Sequence, residues 1–154
     1  MNGSRVVLSP VAGQVLSLDD VPDPVFSAQM VGSGVALRPA PSAGSVEVRS
    51  PIAGTIVKLH PHAFVVLTED KAGVLVHIGI DTVKMKGEGF TLVASEGDRV
   101  RPGDPVVTYD PAAIAEAGYS DVVPVVLMDS KPGSITTDAV GTAVEQGDSL
   151  FELP

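Results

Sequence analysis

Short apolar runs, many alternating with polar residues and ended by glycine, proline or aspartate, set the rhythm of this chain. "GSVEVRS", "AFVVLTE", "GVLVHIGI", "GDPVVTYD" and "DSLFELP" are examples. Sixteen glycines and thirteen prolines punctuate them, the pattern of many short strands joined by tight turns. Only "DPAAIAEAG", residues 110–118, reads as a helix. Asp110 can cap it, Pro111 suits its first turn and Gly118 can end it. No linker or low-complexity segment divides residues 1–154, which favours one domain.

A weak internal repeat adds an architecture. "LSPVAGQVLSL" (8–18) and "RSPIAGTIVKL" (49–59) share S-P-[VI]-A-G-x-[VI]-x-x-L, and "EGDRVRPGDPV" (96–106) and "EQGDSLF" (145–151) share G-D before an apolar strand. Two similar strand-turn units packed face to face would leave few open edges. The predicted fold is all-β: an antiparallel, barrel-like β-sandwich built on a duplicated motif, with one or two very short helices.

One strand breaks the apolar pattern. In "GVLVHIGI" alternation places Val74, Val76, Ile78 and Ile80 on one face, and Leu75, His77, Gly79 and Asp81 on the other. His77 therefore lies off the core face, beside a residue without a side chain and near a carboxylate. The preceding run "HPHAFVVL" (60–67), joined through "TEDKAG", makes a hairpin. Registers that put His62 opposite His77, or diagonal to it, place both imidazoles on one face, about 5 to 8 Å apart at Cβ. An odd-length loop would separate them.

Several chemistries could use such a pair. An imidazole nitrogen can carry a phosphoryl group covalently if the other ring nitrogen is held as a donor. Gly79 would let its carbonyl approach for that purpose, and a second imidazole could stabilise the transferred charge. His60-x-His62 with His77 could instead hold zinc with an open fourth position. "VKMKG" resembles a biotin or lipoyl attachment turn, but the order Lys84-Met85-Lys86 differs from the Met-Lys-Met of biotin-type turns. A surface histidine without a role is the plain alternative.

Composition removes other classes. No stretch approaches the 18 or more apolar residues of a membrane span. "MNGSRVVLSPVAGQV" is a poor signal peptide, so a cytoplasmic protein is expected. The chain has no cysteine, excluding disulfides, thiolate metal sites and cysteine nucleophiles. Net charge is −9 and the ten basic residues are scattered, which argues against nucleic acid and favours a partner with a basic face.

"HAF", followed fifteen residues after its histidine by "HIGIDTVKMKGEGF", resembles the signature of the glucose-type enzyme IIA family of the bacterial sugar phosphotransferase system. The likeness extends to "DVPDPVFSAQMVGSGVALRP" (20–39), "SPIAGTIVKL", "EGDRVRPGDPVVTYD" and "PVVLMDS" (124–130). The "LHPHAF" wording is similar to actinobacterial versions. The resemblance implies an antiparallel β-sandwich and a phosphotransferase component that works through a phosphohistidine. By its motif, His77 would take a phosphoryl group from the phosphocarrier HPr and pass it to a cysteine of the IIB domain of a glucose-type sugar permease. His62 would support that transfer, more in the onward step than in acceptance. Members commonly have threonine where His60 stands, so His60 departs from the pattern.

The resemblance also implies a docking ring of Val25, Phe26, Val31, Leu75 and Val83, rimmed by Asp23 and Asp81. It implies a monomer that needs no cofactor and meets the membrane only through the permease, although His62 and His77 could hold an adventitious zinc ion. Two other readings are carried forward: a zinc hydrolase using His60, His62 and His77, and a purely regulatory binding module.

Overall fold

The computed structural model describes residues 5–154. Thirteen strands account for most of its regular structure: β1 (Val6–Leu8), β2 (Gly13–Ser17), β3 (Gly32–Pro39), β4 (Val46–Arg49), β5 (Gly54–His60), β6 (Ala63–Leu67) and β7 (Gly73–His77). They continue as β8 (Phe90–Leu92), β9 (Arg99–Val100), β10 (Pro105–Tyr109), β11 (Val123–Met128), β12 (Ala143–Val144) and β13 (Ser149–Glu152). Every ladder is antiparallel. The main sheet runs β12-β2-β3-β11-β7-β6-β5-β9, with smaller sheets β4-β10-β8 and β1-β13. Together they curl into a half-barrel around a Val- and Ile-rich core that includes Val15, Ile56, Phe64, Val76 and Val125. No helix among the described residues is long and apolar enough to cross a membrane.

The repeat is physical. Ser9 and Ser50, both buried, each donate a hydroxyl hydrogen bond to the carbonyl two residues on, at Val11 and Ile52. The two turns also bind each other, Leu8 N–H to Pro51 O and Arg49 N–H to Pro10 O. Gly147 N–H reaches Ser9 O as Gly103 N–H reaches Ser50 O, and the aspartate after each glycine accepts the serine's own N–H. Even the glycine of S-P-x-A-G has one reason in both copies. A Cβ at Gly13 would stand 2.3 Å from Arg38 O, and one at Gly54 2.3 Å from Leu67 O. The motif is more than a good turn sequence: it is a close strand crossing used twice.

The expected helix forms as α2 (Pro111–Ala117), with Asp110 Oδ1 accepting from Ala112 N–H and Gly118 ending it at φ +83°. A second, α1 (Pro24–Ser27), was not expected, because four residues leave no helical periodicity to read. Its signal was local: Asp23 caps it through Val25 N–H at 2.8 Å, with Pro24 in the first turn. Two 3-10 turns, Leu18–Asp20 and Thr82–Met85, complete the helical content.

Candidate functional site

The β6–β7 hairpin pairs in neither expected register. Ala63 lies opposite His77 and Leu67 opposite Gly73, leaving the five-residue loop 68–72, an odd number. That register alone would turn His62 from His77. The separation does not occur because His62 is not in the strand. β5 ends at His60, Pro61 and His62 form the turn, and β6 begins at Ala63. Free of the pleat, the His62 ring meets His77 edge-on, with centroids 5.2 Å apart and planes at 74°. His62 O accepts from Ile78 N–H at 2.7 Å, anchoring the turn to the end of β7. For the same reason His60 and His62 do not line one strand face as an H-x-H metal motif would: their rings stack at 5.7 Å.

Alternation along β7 stops at His77. Val74, Val76 and Ile78 enter the main core as expected. Ile80 is buried too, but in a separate cluster with Leu18, Phe26 and Val126, against which Leu75 packs from the opposite parity. The switch is made at Gly79, which adopts φ +80°. That backbone lets Gly79 O turn back onto the His77 ring, 2.6 Å from Nδ1. A carbonyl only accepts, so Nδ1 carries the proton and Nε2 keeps its lone pair. Thr82, fully buried, fixes the loop by donating from Oγ1 to Ile78 O at 2.6 Å, and Ile80 N–H binds Ser120 O. The sequence reading missed both, since neither Thr82 nor Ser120 falls in a periodic pattern.

A Cβ at Gly79 would stand 2.5 Å from Thr82 Cγ2 and 2.9 Å from Ser120 O. Gly79→Ala combines this clash with a left-handed φ. It should cost about 2–4 kcal/mol of stability, lowering the thermal midpoint by roughly 4–16 °C, because strain at one such position alone runs to about 1–3 kcal/mol. Differential scanning calorimetry reads the loss; an unchanged midpoint would remove the glycine's role.

Burial lowers the pKa of His77, opposed by the Gly79 hydrogen bond and by Asp23 and Asp81. His62 falls further, to about 4, through burial first and then the neighbouring His77 and His60 rings. Both are therefore neutral at pH 7 and both protonate more readily in the unfolded chain. The destabilising effect of His62 is absent above about pH 6.5, grows as pH falls, and levels off below its folded value near 4, and the lowered pKa of His77 acts in the same direction. Urea midpoints at pH 7.5 and pH 5 should differ less in His62→Gln than in wild type. Equal differences would place the His62 shift elsewhere.

The expected docking residues separate by exposure. Val25 and Val83 are exposed large hydrophobics, and so is Met30, the most exposed of them at 74 %, which the sequence reading did not select. Val31 and Leu75 are partly buried. Phe26 differs from its expected place on the surface: it is 7 % exposed, and its ring packs 5.2 Å from His77. It is a wall of the site more than a contact surface. Asp81 is exposed at φ +64°, while one carboxylate oxygen of Asp23 is engaged as the α1 cap. Among the described residues no three His, Cys, Asp or Glu side chains converge as a metal site.

Comparison with known proteins places the chain and its fold. A family model described as phosphoenolpyruvate-dependent sugar phosphotransferase system, EIIA 1, matches residues 5–132. A glucose-specific EIIA component of Oceanobacillus iheyensis is 40% identical over 126 residues, spanning 80% of this chain and 74% of that protein. A beta-glucoside-specific EIIBCA component of Bacillus subtilis is also 40% identical, over 98% of this chain but 25% of its own length. The solved glucose permease IIA from Mycoplasma capricolum superposes with a TM-score of 0.83 at 33% identity, covering 95% of this chain and 93% of that one. With a half-barrel fold shared at that level and a family model matched over residues 5–132, this chain belongs to the EIIA type 1 family of the phosphoenolpyruvate-dependent sugar phosphotransferase system.

Proposed function

We propose that the protein is a phosphoryl carrier that accepts a phosphoryl group on His77 from phospho-HPr and passes it to the IIB domain of a glucose-type sugar permease. One observation carries the reading: Gly79 O holds the Nδ1 proton of His77, so Nε2 presents a lone pair at neutral pH. Nε2 attacks phosphorus in line, the donor's bond to phosphorus breaks, and its electron pair leaves with the donor. The proton stays on Nδ1, where the Gly79 carbonyl stabilises the positive charge that develops on the ring. In the onward step a cysteine thiolate of IIB attacks, and the P–N electron pair returns to Nε2.

His62 assists from the side. A ring N–H aimed at the phosphoryl oxygens neutralises charge during transfer, and a dianion arriving beside it would raise its pKa and recruit a proton. The exposed Val25, Met30 and Val83 offer apolar contact. The net charge of −9, with Asp23 and Asp81 at the rim, suits a basic partner face. The protein acts as a monomer on the cytoplasmic side and needs no cofactor; zinc between His62 and His77 would be adventitious. Incubation with phosphoenolpyruvate, enzyme I and HPr, followed by intact-mass spectrometry, tests the reading. A single acid-labile phosphoryl adduct is expected, and no adduct would refute it.

His60 discriminates this function from metal hydrolysis. Acting through His62, it is at most a positioning residue, and losing such support typically costs about 10–100-fold. His60→Thr should keep phosphotransfer within about tenfold, a barrier change near 1.4 kcal/mol. Chelator treatment of wild type should leave acceptance from HPr unchanged. Loss on chelation, restored by zinc, would promote the metal site.

A further inference from the structure

Duplication built two equivalent clefts, and they have diverged. In one half Gly13 pairs with Val144 and Gln14 with Arg38; in the other Gly54 pairs with Val100 and Thr55 with Leu67. Each set of strands encloses a cavity, of about 420 Å³ and about 520 Å³ respectively. By these registers Arg99 and Arg101 stand where the first half has Ala143 and Glu145. Thr68, Glu69 and Asp70 stand where it has Pro39, Ala40 and Pro41. A turn of small and proline residues has been exchanged for hydroxyl and carboxylate, and an alanine and a glutamate for arginines. Folding requires neither change, because the first cleft holds the same ladders without them.

From this divergence the geometry points to a second ligand site in the larger cleft, for a small phosphorylated polyol such as a sugar phosphate. Arg99 on β9 and Arg101 just beyond its end, both exposed on either side of buried Val100, line this cavity. Arg5 lines the same cavity. Three always-charged forks around one space suit a phosphate dianion. Two of the three are also available. The Arg101 guanidinium has no hydrogen bond or ion pair among the described residues, and Arg99 holds Glu69 only at 3.7 Å with both side chains mostly exposed. Arg5 is paired with Asp70 and Pro154 O, which fixes the far wall. Thr68 Oγ1 already accepts from Ala72 N–H and one Asp104 oxygen from Arg101 N–H, which leaves the second Asp104 oxygen and the loosely paired Glu69 carboxylate to meet hydroxyl groups of the polyol. The cavity volume fits a ligand of that size.

The cleft opens at the Leu67/Gly73 end of the β6–β7 hairpin, the end opposite His77. Ligand there cannot touch the transferred group, and the site stands whether or not the carrier reading does. Amide-resolved NMR titration with glucose 6-phosphate, inorganic phosphate and glucose tests it. Glucose 6-phosphate should produce saturable shifts at residues 68–72 and 99–104, at least tenfold tighter than either fragment. Arg99→Gln/Arg101→Gln should weaken this binding tenfold or more, with phosphorylation of His77 unchanged. Should the pair perturb folding, Arg101→Gln alone, at an exposed and unpartnered side chain, should weaken it at least threefold. Absence of saturable shifts, shifts confined to His62 and His77, equal affinity for inorganic phosphate, or affinity indifferent to Arg101→Gln would each overturn the site.

Discussion

His77→Ala should carry no phosphoryl group from phosphoenolpyruvate, enzyme I and HPr, while remaining folded. The nucleophile is a single lone pair on Nε2, and no second imidazole in the site has its other nitrogen held by a backbone carbonyl as His77 does. Removing a covalent catalyst of this kind typically lowers a rate by on the order of 10⁶-fold, which is complete loss in a mass-spectrometric assay. The fold should tolerate the change. Val76 and Ile78 on either side are fully buried in the main core, whereas His77 points the other way, against Phe26 and His62. Losing those ring contacts should cost about 1 kcal/mol, lowering the thermal midpoint by roughly 2–4 °C. An adduct retained at wild-type level would end the assignment. Loss of the adduct together with collapse of the melting transition would show instead that His77 is a structural residue.

His62→Gln should divide the two half-reactions. Glutamine keeps an N–H for the phosphoryl oxygens, so acceptance from HPr should stay within about tenfold of wild type, the change one neutral hydrogen bond is worth. Onward transfer is harder, because a thiolate must approach a phosphoryl group that is already negative. There a protonatable imidazole matters, and His62, neutral in the empty site with its pKa pushed down to about 4, can bind a proton when the dianion arrives. Glutamine cannot. Its loss should slow delivery to IIB by about 10²-fold or more, the usual contribution of a positioned proton donor. Quench-flow measurement of each half-reaction reads the split. Equal slowing of both would mean that His62 builds the site and has no directional part.

Strands and turns were legible in the sequence because their causes are local. Val-rich alternation marked β4, β6, β7, β10 and β13, and Asp110, Pro111 and Gly118 bounded α2 at both ends. The duplicated S-P-x-A-G turn was visible as a repeat, and its glycine is required by the same close crossing in both copies. Alternation also separated His77 from the core. Resemblance supplied what pattern could not: the expectation that His77 accepts the phosphoryl group and His62 supports it.

Only the tertiary structure decided how the histidines meet. Both registers read from the sequence assumed that His62 obeys the pleat of β6, which begins one residue later. Strand parity governs a side chain only while the ladder holds its backbone; in the turn, the Ile78–His62 hydrogen bond and packing against His77 govern instead. The parity rule failed again beyond His77, where Gly79 at φ +80° sends Ile80 into the second cluster. Phe26 was legible as apolar, but whether it faces a partner or a core depends on Leu18, Ile80 and Val126, brought to it from three other segments. The sequence by itself determined the strand content, the repeat and the off-core histidine, because propensity and period act over a few residues. The position of His62, the burial of Phe26 and the opposite characters of the two clefts were decided by contacts between distant segments, which no local pattern encodes.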